Sequence, residues 1–199
     1  REFNEGVMRV DIFGLREGEG MDGDLHAPLR PSLPELQPNG HYLLEVVVRT
    51  VGLGHELTQG TADSNELWLD VQVWADERLI GRSGAMGEQG GVDPWAYFLN
   101  AYLLDKNGDR IERRNAQDIF TALYNHQIPP GAAYVVHYLL RVPESVRDPI
   151  IVDVALRYRK FDTTYMQYIY GDDYVNELPI MTLARDRITF PVAGSKTGA

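Results

Sequence analysis

Residues 66–74 read ELWLDVQVW, and this stretch decides the fold class. Leu67, Leu69, Val71 and Val73 fall at every second position, the spacing that places side chains on one face of a strand. A helix would scatter the same residues around its axis. The other face carries Trp68, Asp70, Gln72 and Trp74, an unusually aromatic set for a face expected to meet water. The same period recurs to either side. In residues 7–13, Met8, Val10 and Ile12 alternate with Arg9 and Asp11, and residues 41–50 (HYLLEVVVRT) form a β-branched run. Residues 78–82 read as the return of a hairpin. Tyr134, Val136, Tyr138, Leu140 and Val142 alternate inward in residues 133–142. Ile150, Val152, Val154, Leu156 and Tyr158 do the same after Pro149, and residues 187–192 (RITFPV) make a short terminal strand.

Between these runs the chain is punctuated by turn chemistry. Residues 14–40 hold Pro28, Pro31, Pro34 and Pro38 with several glycines, and predict a long extended connection. Residues 84–91 are Gly-rich and predict a flexible loop. Residues 95–104 (WAYFLNAYLL) predict a buried strand, after which Asn107-Gly108 supplies a tight turn leading into residues 110–113. Helical signal is confined to residues 115–124, with Asn115 as a cap, and residues 163–170. Eight or so strands with turn-rich loops predict an all-β fold. The expected form is an antiparallel Greek-key β-sandwich, Ig/fibronectin-like, with one or two short helical turns. The expected division is an N-terminal strand and connection over 1–40, a sandwich domain over 41–192 and a flexible tail over 193–199.

Composition narrows function. Among 199 residues, 19 Lys+Arg stand against 29 Asp+Glu, a net charge of −10, which excludes a general binder of nucleic-acid backbone. No apolar run is long enough to span a membrane as a helix. The absence of cysteine removes disulfides, thiolate nucleophiles, Cys-based zinc sites and thioether attachment of haem within this chain. The chain opens Arg1-Glu2-Phe3 without Met, and reads as a piece of a longer polypeptide.

Several segments are candidates for chemistry. In residues 54–60 (GHELTQG), His55 stands in a Gly-flanked loop from which an imidazole can reach a metal or a partner. The plainer alternative is a surface loop in which Asp63, Ser64 and Asn65 bond their own backbone. In residues 124–131 (YNHQIPPG), the Pro-Pro-Gly turn is stiff and gives His126 a defined place, either as a ligand or as a hydrogen-bonded loop residue. His26, His41 and His137 are weaker candidates. Asp105, Asn107 and Asp109 begin like a calcium loop, but Arg110 and Ala116 stand where Gly and an acid are required, so a hairpin turn is the simpler reading. Asp172 and Asp173 are adjacent, which does not make a catalytic pair. There is no Gly-x-Ser-x-Gly elbow, phosphate loop or His-Glu-x-x-His, so no enzyme activity is assigned. Residues 165–174 (YMQYIYGDDY) are Tyr-rich and fit an interface, through which the chain could oligomerise, or a helical turn packed on the sheet. Arg157, Arg159 and Lys160 read as a positive patch able to receive haem propionates or a partner's carboxylates, or as a solvated strand face.

Taken together, three stretches resemble the β-sandwich domain that follows the CxxCH region of bacterial multihaem c-type cytochromes. They are Gly54-His55 with residues 60–69 (GTADSNELWL), residues 91–95 (GVDPW) and residues 124–131. The likeness runs from about residue 41 to 161, with Leu178-Pro179 and residues 187–192 consistent with its end. It implies an exported parent, periplasmic or extracellular, whose haem c groups are bound upstream of Arg1 or by a partner chain. This domain would then be a non-catalytic packing module that supports electron transfer. The resemblance makes His55 the first choice and His126 the second for a distal axial ligand. The alternative is a stand-alone adhesion or carbohydrate-binding sandwich that uses Trp68, Trp74 and the tyrosines for stacking.

Overall fold

The computed structural model describes residues 6–60 and 62–194; the tail expected over 193–199 lies mostly outside that range. Ten strands and one α-helix follow in order: β1 Met8–Glu17, β2 Leu25–His26, β3 His41–Thr50, β4 Glu66–Ala75, β5 Arg78–Ser83, β6 Ala101–Leu104, β7 Thr121–Asn125, β8 Ala133–Arg141, β9 Ile150–Arg159, α1 Thr163–Tyr170 and β10 Met181–Phe190. The strands form two four-stranded sheets, ordered β2-β1-β3-β8 and β10-β9-β4-β5, and a two-stranded sheet of β6 and β7. All ladders between these strands are antiparallel.

One apolar cluster joins the two larger sheets. Val10 and Ile12 of β1, Val46 and Val48 of β3 and Val136 of β8 meet Leu67, Leu69 and Val71 of β4, Val152 and Val154 of β9 and Phe190 of β10. The period-2 reading identified the inward faces of β1, β4, β8 and β9, although β4 and β9 also bury residues of their outer faces. Leu29 and Leu36 of the connection lie in the same cluster. A seam beside the core ties the first strand to the last. The Ile12 N–H donates to Asp186 Oδ2 at 2.7 Å, and Arg30 donates to both Asp186 oxygens at 3.1 and 2.7 Å.

Three expectations need correction. Residues 14–17 continue β1 past a bulge at Ile12/Gly14 instead of opening the connection. The buried strand expected over 95–104 is broken in two, and Trp95 at its start is 90% exposed. Tyr97–Leu99 runs along β4 with Leu69 N–H donating to Tyr97 O at 3.0 Å and Leu99 N–H to Leu67 O at 2.8 Å, and only Ala101–Leu104 forms β6. The helix expected over 115–124 shrinks to a 3-10 turn at Ala116–Asp118, after which Thr121–Asn125 is β7. Its apolar residues Ile119, Phe120 and Leu123 stay exposed, so no buried stripe exists to hold a helix there. The helix expected over 163–170 has those bounds as α1. Asp162 caps it by accepting the Tyr165 N–H at 2.6 Å, and the Gly171 N–H closes the other end on Gln167 O at 2.8 Å.

Candidate functional site

The outer face of the β10-β9-β4-β5 sheet is not the open aromatic surface its sequence implied. Trp68 is 1% exposed, and its indole N–H donates to Gly84 O at 3.2 Å. The charged residues of this face are paired across strands. Asp70 meets Arg82 at 2.9 Å and Arg157 at 3.1 Å, Asp153 meets Arg185, and Glu66 meets Arg159. The expected positive patch is therefore largely consumed. Arg159 has no exposed surface and Arg157 is held by Asp70, which leaves Lys160 over the Phe161 ring at 5.3 Å.

Both His-bearing loops come together. Leu57 and Ile128 exchange N–H···O=C bonds of 3.1 and 2.9 Å, so residues 54–60 and 124–131 run side by side. His55 is exposed, and its Nδ1 lies 2.8 Å from the carbonyl of its neighbour Glu56. His126 is held far more firmly. Its ring stacks on Tyr97 at 5.1 Å and on Tyr124 at 4.6 Å between centroids, meets the Tyr134 ring edge-on, and places Nδ1 3.3 Å from Phe98 O. The remaining histidines face carboxylates: His26 meets Glu17, His41 meets Glu19 and His137 meets Glu45 at 3.7 Å. Among the described residues no group of three or more His, Asp or Glu side chains is arranged to hold a metal ion.

The other loop candidates resolve as structure. Asp105 Oδ1 accepts the N–H groups of Asp109 at 2.9 Å and Asn107 at 2.8 Å, which makes a turn and holds the carboxyl below its ordinary range. Asp63 reaches away from its own loop to accept the Arg114 N–H at 2.9 Å. In the Tyr-rich segment only Met166 of α1 is buried, whereas Tyr168, Ile169 and Tyr170 are exposed.

Beside the His126 stack opens a cleft of ≈ 370 Å³. It is walled by the start of β4 (Asn65, Glu66), the β6–β7 sheet (Tyr102, Tyr124) and the N-terminus of α1 (Asp162, Thr163), with Arg110 across from them. Burial dominates its electrostatics. Desolvation raises Glu66 from 4.5 to about 7, against the pull of Arg159, and raises Asp162 from 3.8 to about 6, against its bond from Tyr165. A carboxyl raised on folding favours the folded state below its unfolded pKa and loses that advantage as pH rises through its folded value. For Glu66 the displacement is worth on the order of 3 kcal/mol. In urea titrations, stability is expected to fall between pH 5 and pH 7 in the native sequence; Glu66→Gln is expected to level the profile between pH 6 and pH 7 and to leave below pH 6 only the part due to Asp162. A slope between pH 6 and pH 7 that survives Glu66→Gln would assign it elsewhere.

Sequence reasoning missed most of this wall. Asn100 had a signal, being a lone amide inside the apolar run WAYFLNAYLL; Arg110 and Asp162 had none, since they matter only through tertiary placement.

No family model matches the chain, and no curated protein matches it. Among solved structures it is similar to a penta-heme cytochrome c552 from Thermochromatium tepidum, over 95% of this chain with a TM-score of 0.59 and 13% sequence identity. The match covers 41% of that cytochrome's chain, so this chain spans well under half of its length. At that identity the likeness is one of fold. A similarity to the sporulation control protein Spo0M from Bacillus subtilis covers 94% of this chain and 49% of that one, at 11% identity and a TM-score of 0.33, and carries no argument.

Proposed function

We propose that this chain is a non-catalytic β domain of an exported multihaem c-type cytochrome, packing on the haem-bearing region and supporting electron transfer. The observation that carries the reading is the shared fold, over nearly the whole chain, with part of a penta-haem cytochrome. The strand order supports the finer fold assignment. With β2 and the β6–β7 sheet set aside, three strands (β1-β3-β8) face four (β10-β9-β4-β5), the distribution of a fibronectin-like Greek-key sandwich. Exposed Tyr168, Ile169 and Tyr170 offer a docking surface for the haem region or a second copy.

The residues fit haem in one limited way. Without cysteine the chain forms no thioether bond, but a haem held elsewhere can take an imidazole from it. An axial imidazole commonly ties its outer nitrogen to a carbonyl, and His55 and His126 each place Nδ1 against one. His126, stacked on Tyr97 and Tyr124, is the better held, and we take it before His55 for the ligand role. The domain's other contribution is a low-dielectric wall; burial and axial ligation both set haem potential.

An optical spectrum of the natively purified parent, oxidised and dithionite-reduced, beside a haem-stained gel, tests the reading. A sharp reduced α band with covalent stain is expected, with conversion from low-spin to high-spin iron in His126→Ala. A colourless parent would overturn the assignment, and an unchanged spin state in both His126→Ala and His55→Ala would overturn the ligand role.

A further inference from the structure

We propose that the cleft between β4, the β6–β7 sheet and the N-terminus of α1 is a saccharide-binding site, recognising vicinal hydroxyls of a neutral sugar ring. Asn65 and Asn100 line it, are 6% and 8% exposed, and each has a buried side-chain oxygen without a hydrogen-bond partner. A buried acceptor left unmet is costly, so these two carbonyls mark where a donor belongs. The charges say which donor. The carboxyls of Glu66 and Asp162, with Glu112 near Asp162, stand against the guanidiniums of Arg110 and Arg159. Burial holds Glu66 and Asp162 partly protonated near neutral pH, so no excess of negative charge remains to draw a cation, and a neutral ligand is favoured.

The hydroxyls of a sugar ring meet both demands, donating to the amide and carboxyl oxygens and accepting from Arg110. Arg110 is stacked 4.8 Å over the Tyr102 ring, which orients its N–H groups without filling the cleft. Size agrees. One water needs only about 10–15 Å³ of such space, so a cleft of ≈ 370 Å³ has room for one hexose ring and far more than a bare ion needs. The site is independent of the haem reading, and it moves sugar recognition away from the Trp68 face, where the indole is buried.

The test is a ¹⁵N-correlation titration of the 199-residue chain. The probes are the methyl glycosides of glucose, galactose, mannose, xylose and N-acetylglucosamine, each at about 50 mM, saturating for a Kd near 1 mM. At least one glycoside is expected to shift the side-chain amide signals of Asn65 and Asn100 together with the backbone amides of Gly91, Val92 and Thr164. Asn100→Ala is expected to weaken that binding at least tenfold. If Asn100→Ala does not fold, Thr164→Val, at an exposed cleft position, serves as the second variant. The proposal fails if no glycoside shifts these signals, or if the shifts fall elsewhere. It fails equally if calcium chloride or n-butylammonium chloride shifts them and no glycoside does, which would make the cleft a cation site.

Discussion

In urea, Arg159→Met is expected to lose about 3–5 kcal/mol of unfolding free energy, because it strips a buried carboxyl of its partner. Arg159 has no exposed surface. Its guanidinium binds Glu66 through two nitrogens and also donates to Thr163 Oγ1 at 3.2 Å and Asn176 O at 3.4 Å, joining β4, β9, α1 and the segment before β10. The loss is expected to grow with pH. Without the guanidinium the folded state holds Glu66 protonated to still higher pH, while the unfolded chain ionises near 4.5. The double change Arg159→Met with Glu66→Leu is expected to regain more than half of the loss, since an apolar pair of similar bulk avoids desolvating any charge. If the double variant is no better than the single one, the pair is not what Arg159 contributes.

The second large effect is at Trp68. Trp68→Ala is expected to cost about 3–5 kcal/mol, the range for emptying a fully buried aromatic site. It also leaves the Gly84 carbonyl without its donor. Gly84 is part of the same unit. Its φ of +79° suits glycine, and a Cβ there would collide with Leu69 O and press on Trp68 Cδ1 at 3.0 Å, so Gly84→Ala is expected to cost on the order of 3 kcal/mol. Trp74, only partly buried with its indole N–H on Gln72 Oε1 at 3.2 Å, provides the contrast: Trp74→Ala is expected to cost about 1 kcal/mol. Equal losses at the two tryptophans in chemical denaturation would mean that Trp68 is no more enclosed than Trp74.

The difference between these two tryptophans shows how far the sequence could be read. They stand on the same face of β4, and alternation assigns them the same environment. What separates them is the covering loop after β5 and the edge added by Tyr97–Leu99, neither of which is encoded in the periodicity of residues 66–74. The same limit explains Arg159. A basic residue between Tyr158 and Lys160 reads as solvated until Glu66, 93 positions away, is placed beside it. Inward faces were legible because each strand carries its own pattern, and α1 was legible as a short helical piece, whereas its caps Asp162 and Gly171 emerge only from the structure. Residues 95–125 were not. There the apolar residues are shared between a short edge, two short strands and an exposed surface, so local pattern and final burial disagree. Of the candidate ligands, His126 was singled out by the stiff Pro-Pro-Gly turn beside it, whereas the rings that hold it are its neighbour Tyr124 and, from two other stretches of chain, Tyr97 and Tyr134.

The order of strands in the sheets also governs how the chain can acquire its structure. β3 lies between β1 and β8, and β4 between β5 and β9, with Val46 paired to Val136 and Val71 to Val154. Each of these apolar strands gains one partner early, from a neighbour in sequence, and must wait for the other until residues 133–159 have been synthesised. Such distant pairings make folding slow, because a long loop must close before any contact rewards it. Throughout that interval β3 and β4 each present a bare strand edge to other chains. Fragments of this sequence that end before β9 leave β4 without one of its two partners, and are expected to aggregate more readily than the whole chain.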